Sequence, residues 1–88
     1  MKVNQILKDR EVTHGDFEIK AIWIQEIMEN LIGLNSWEDM SADQREAIHM
    51  ILVKLSRILY GNSNHADHWD DIAGYAQLIA NRLKDSKL

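Results

Sequence analysis

Apolar residues recur along this chain every three or four positions, the spacing that lines one face of an α-helix. From Ser41 to Tyr60 the stripe is Ile48, Ile51, Leu52, Leu55, Ile58 and Leu59. From Asp67 to Lys84 it is Trp69, Ile72, Ala73, Ala76, Ile79, Ala80 and Leu83. From Asp16 to Ile32 the arc is wider: Phe17, Ile22, Trp23, Ile24, Ile27, Met28, Leu31 and Ile32. A helix apolar on more than one side needs more than one neighbour. In a chain this short, the extra neighbour is expected to be a second copy, which makes a homo-oligomer. A short helix over Val3–Arg10 completes the set. The expected fold is all-α: a small helical bundle of three long helices plus a short N-terminal helix.

Capping residues set the expected boundaries. Asp16 can cap the second helix. Ser41-Ala-Asp-Gln44 reads as a capping box for the third, with the Ser41 hydroxyl taking the Gln44 amide and Gln44 reaching back. Asp67 is expected to cap the last helix, whose final turns carry Arg82 and Lys84 at the negative end of its dipole. Gly33 and Gly61 stand where a left-handed C′ residue is expected, and Gly15 falls in a polar break, THGD. Gly74 interrupts an apolar helix at about 1 kcal/mol relative to alanine, and its missing Cβ would let another backbone or a ligand approach. The connection from Gly61 to Ala66 is short, so the last two helices should form an antiparallel hairpin. Asp67 and Asp71 would then lie level with Lys54 and Arg57.

Composition narrows the classes. Eighty-eight residues fit one domain, 1–88. There is no cysteine, so no disulfide or thiolate metal site can form. Small secreted domains usually need such staples, which favours a reducing, cytoplasmic setting. The opening MKVNQILKDREV has no apolar run of signal length, and no stretch is expected to cross a membrane. The net charge is -4 and Lys and Arg form no block, which argues against a nucleic-acid surface. An acidic surface still suits docking on a basic protein partner.

The candidate chemistry is polar and charged. Asp67 and Asp71, four apart, share a helix face, and Lys54 and Arg57 can reach it from the preceding helix. Two carboxylates can hold Mg²⁺ with water and phosphate oxygens, while Lys54 and Arg57 suit a phosphate chain. The plainer reading of the same four residues is a cap at Asp67 and a structural ion pair of Asp71 with Lys54 or Arg57. Glu46, early on the third helix, joins Asp67 and Asp71 as a candidate metal ligand, while Glu26 and Glu29, E-x-x-E on the second helix, are weaker candidates that also read as a solvated face. Tyr75, one turn after Asp71, is a base-stacking or packing candidate, and Trp23, Trp37 and Trp69 lean towards packing. His65 and His68 have ligand spacing, but no cysteine completes a site. His49 reads as a rim residue and His14 as part of a turn. There is no phosphate loop, nucleophile elbow or H-E-x-x-H.

Gln44-R-E-A, Lys54-x-x-Arg57-Ile58 and Asp67-H-W-D-Asp71-I-A-Gly74-Tyr75-Ala76 together resemble a group of small phage and prophage helical proteins. The opening Arg10-E-V-T-H-Gly15-Asp16-Phe17 matches the R-x-x-x-x-G-D-F start of that group. The group is distantly similar to MazG-like all-α nucleoside triphosphate pyrophosphohydrolases and to helical domains associated with nucleotide modification. The resemblance implies an oligomeric bundle with a Mg²⁺-nucleotide site. Such enzymes place E-x-x-E on one helix and E-x-x-D on the next. Glu26 and Glu29 can stand for the first pair, but the residue three after Glu46 is His49, not aspartate. Two functions follow as expectations: binding or hydrolysis of a Mg²⁺-nucleotide, or a non-enzymatic oligomeric module that binds or inhibits a host protein.

Overall fold

The structure, a computed structural model, describes residues 2–85, and among these the chain forms five α-helices. They are α1 (Lys2–His14), α2 (Phe17–Ile32), α3 (Asn35–Asp39), α4 (Ala42–Tyr60) and α5 (Ala66–Asp85). The all-α expectation holds. Helix α4 is central, with α5 packed along it and α2 on another face. Helix α1 touches α4, and α3 sits against α2. The α4–α5 hairpin is antiparallel: Lys54 pairs with Asp71 near the turn, and Asp43 with Arg82 near the open end.

Several boundaries follow from caps. Asp16 has extended backbone, and its carboxylate accepts the Ile19 amide at 3.0 Å. At Ser41 the expected box forms: the Ser41 side chain faces the Gln44 amide, and Gln44 Oε1 accepts the Ser41 amide at 2.9 Å. Asp43, held by Arg82, also accepts the Ser41 hydroxyl and, at 3.0 Å, the Gln44 amide. Arg82 also donates to Ser41 Oγ at 2.9 Å, so α5 helps to cap α4.

Four expectations need correction. Helix α1 runs four residues past Arg10 to His14, and α3 was not expected, because five residues show no period. Helix α5 starts at Ala66, so Asp67 lies in its first turn rather than at the cap, still facing the positive end of the dipole. Gly33 (φ -75°) and Gly61 (φ -119°) are not left-handed. Among the described residues only Gly15 has positive φ, at 84°.

Gly15 and Gly61 are instead required by a close crossing of two corners. A Cβ on Gly15 would lie 2.5 Å from the Tyr60 carbonyl oxygen. A Cβ on Gly61 would lie 2.6 Å from both the Arg57 carbonyl oxygen and the His14 carbonyl carbon. The α1–α2 and α4–α5 corners therefore meet backbone to backbone. The Thr13 carbonyl joins them by accepting the Asn62 amide at 2.9 Å and His68 Nε2 at 3.0 Å. A carbonyl can only accept, so His68 carries its proton on Nε2.

The interior is small. Among the described residues, Ile24, Ala47 and Ile58 are the buried apolar side chains, beside buried Lys20, Ser56 and His68. On α5, Ile72 and Ile79 are half-buried, whereas Trp69, Ala73 and Ala76 of the expected stripe stay exposed. Helix α4 covers only part of that apolar face.

Gly15→Ala and Gly61→Ala should each cost about 2 kcal/mol or more, because a backbone contact must open or a positive φ must be strained. Gly33→Ala, with ordinary contacts at 3.6 Å and right-handed backbone, should be neutral or stabilising by up to about 1 kcal/mol. Urea denaturation of the three variants checks this ordering.

Candidate functional site

The hairpin brings the expected charges together only in part. Lys54 Nζ lies 2.9 Å from Asp71 Oδ2, and the Lys54 side chain is only 12% exposed. The hydrogen bond from Lys54 is the main cause holding the Asp71 carboxyl below its ordinary range. Asp67 points towards His65 at 3.7 Å, and Glu46 towards His49 at 3.6 Å. Glu26 and Glu29 lie exposed on α2. Tyr75 is half-buried between α4 and α5. It lines one shallow cavity with Asp71 and Gly74 and another with Glu46 and Ala47.

The donor set does not fit a Mg²⁺ ion as expected from sequence. Among the described residues, no three His, Asp or Glu side chains group as metal ligands. Glu46, Asp67 and Asp71 each face a different basic partner. The three rings of His14, His65 and His68 do cluster, with centroids 4.6–6.3 Å apart. His68, however, is 2% exposed and spends Nε2 on Thr13.

Arg57 belongs to a different constellation. It lines a cavity of about 320 Å³ at the α1–α2 corner together with Arg10, Glu11, His14, Phe17 and Lys20. Lys20 is 9% exposed, and its side chain makes no ion pair or hydrogen bond among the described residues. Arg57 Nε and His14 Nδ1 are buried without a hydrogen-bond partner. Buried polar groups are nearly always satisfied, so two unmet nitrogens beside an unpaired lysine at one cavity call for an explanation. Burial first, and then Arg57, lower the Lys20 pKa, which Asp16 only partly offsets. Burial, then Arg57, His68, Lys20 and Arg10, bring His14 down to about 4. An acidic chain thus holds a concentrated positive field in one place.

Sequence reasoning placed Arg57 among the phosphate-binding candidates but missed Arg10, His14 and Lys20. One signal was available. Lys20 precedes buried Ile24 by one helical turn, so a lysine occupies the inward face of α2. Arg10, Gly15 and Phe17, close together in the opening of the chain, also line this corner.

Comparison with known families matches residues 2–83 to a domain of unknown function, DUF6378. The chain belongs to this family. No curated protein and no solved structure matches it. The match covers every helix that builds the corner of this DUF6378 domain, from α1 to most of α5.

Two solution experiments test these electrostatics. The unfolded chain protonates His14 near 6.5 and the folded chain near 4, so stability should fall as pH drops through that window. His14→Gln should flatten that slope in urea titrations. Asp71→Asn should leave it unchanged, since the Asp71 contribution is present above 3.8 and lost only at lower pH. Asp71→Asn should nevertheless lower Tm more than Lys54→Met, because it strands a covered ammonium, whereas the second change leaves a carboxylate half in water.

Proposed function

We propose that this DUF6378 domain is a self-associating helical module whose exposed apolar faces are covered by a second copy, and whose assembled surface engages a protein partner. The supporting observation is surface area. The chain exposes 6576 Å², whereas a folded monomer of its 10.2 kDa mass exposes about 5,300 Å². The radius of gyration is 15.4 Å, against about 12 Å for a compact chain of this length. The excess exceeds the roughly 800 Å² that each partner contributes to a standard interface. Val3, Ile6 and Leu7 on α1 and Ile19 and Ile22 on α2 are each at least half exposed and supply apolar contact. These faces fit a dimer in which the first turns of α1 lie on the neighbour's α2. In such a module the apolar area drives association, and the charged residues select the partner.

A second reading is supported by the cationic cavity: the domain binds a phosphate-bearing ligand, of which a nucleotide is the kind implied by the MazG-like resemblance. The Mg²⁺ half of that expectation finds no gathered carboxylates, so no metal-assisted step is assigned.

Sedimentation at micromolar concentration should give at least twice the mass of 10.2 kDa. Ile6→Glu combined with Ile22→Glu should give a helical monomer with a lower Tm. A wild-type monomer at all concentrations would end the self-association reading.

A further inference from the structure

We propose that the cavity at the α1–α2 corner binds the phosphate group of a small phosphate monoester, held by Arg10, Lys20 and Arg57, with the ester's apolar body in the adjoining cavity. This deepens the phosphate-binding reading above and rests on it.

The first support is unmet hydrogen bonding. Lys20 is nine-tenths buried yet unpaired among the described residues, and Arg57 Nε and His14 Nδ1 have no partner. All three line one cavity, and Arg10 adds a further guanidinium at its wall. Glu11 also lines it, and Asp16 lies near enough to act on Lys20, but neither forms an ion pair there among the described residues. Three cations around one volume outweigh one lining carboxylate. A monoester dianion carries close to two negative charges and three acceptor oxygens, which matches the excess of charge and of donors. A carboxylate would leave more of that charge unanswered.

The second support is the neighbouring space. Phe17, Lys20 and Arg57 also line a second cavity of about 320 Å³, whose other walls include Ile24, Val53 and Ser56. It is mostly apolar, and both cavities lie in the size range of about 300–1,000 Å³ that small ligands occupy. Phe17, 79% exposed, stands where the two cavities meet. A phosphate in the first cavity therefore has an apolar slot beside it.

The third support is energetic. A lysine side chain that is largely buried and unpaired among other cations opposes folding. A residue that costs stability is the kind retained for binding. A bound dianion would satisfy Lys20 and Arg57 together, and would oppose the positive field that, after burial, keeps His14 neutral.

Titration of the full chain with inorganic phosphate and with phenyl phosphate, followed by NMR at low salt, tests the site. Both should bind, phenyl phosphate about tenfold more tightly because its ring is buried. The His14 pKa should rise from about 4 by about one unit or more when phosphate is bound. Lys20→Met should raise Tm while weakening binding at least about tenfold. Arg10→Gln, at an exposed residue that the fold does not need, should weaken binding several-fold with Tm unchanged. No shift in the wild type at about 10 mM of either probe overturns both the cavity assignment and the phosphate-binding reading. Wild-type affinity in both variants overturns the cavity alone, since binding then occurs elsewhere. Equal affinity for the two probes removes the apolar slot, and a fall in Tm for Lys20→Met makes that lysine structural.

Discussion

The backbone contact of Gly15 with Tyr60, and of Gly61 with Thr13 and His14, is the constraint on which the rest of this molecule depends. Two helix corners, remote in sequence, approach so closely that neither position has space for a methyl group. The Thr13 carbonyl completes the joint by accepting from both Asn62 and His68. A helix end normally leaves its last carbonyls unsatisfied. Here the end of α1 is satisfied by the α4–α5 turn. The joint fixes where α1 stops, where α2 starts and how both meet α4. It thereby brings Arg10, His14, Lys20 and Arg57 around one cavity.

That arrangement runs against the overall charge. The chain is acidic at -4, yet among the described residues the buried Lys, Asp or Glu is a lysine, with a guanidinium beside it. Among the described residues only three apolar side chains are buried, so little hydrophobic free energy offsets the desolvation of these cations. The two features are consistent with one picture. The isolated chain leaves both apolar surface and positive charge incompletely matched, and association and anion binding would each match one of them. Leu7 and Phe17 belong to both, since they are exposed and also line the cavity. A neighbouring copy laid on α1 and α2 would reach its rim.

The hairpin charges have a different character. Lys54–Asp71 and Asp43–Arg82 join α4 to α5 at two levels and fix the register of the pair. Asp43 does so while capping α4. These carboxylates are already held by basic groups, which is why the acidic residues of the last helix do not gather around a cation. The cluster read from the sequence as two acids and two bases divides in space. Lys54 closes on Asp71, Asp67 faces His65, and Arg57 serves the cavity formed with α1 and α2.

Local chemistry determined much by itself. The period of Ile48 to Ile58, the Asp16 cap, the Gln44 return to Ser41 and the short turn after Gly61 were enough for an all-α chain ending in an antiparallel hairpin. Such features depend on residues three or four apart, and the backbone enforces them wherever the chain goes. The roles of Gly61, His14 and Lys20 were not legible in that way. Gly61 is required by the Thr13 and His14 backbone, and Lys20 gains its meaning from Arg57 on another helix. Helical spacing says which residues share a face, but not which distant face it will meet. Only the crossing of the two corners decided that, because a contact between atoms almost fifty residues apart leaves no period in the sequence.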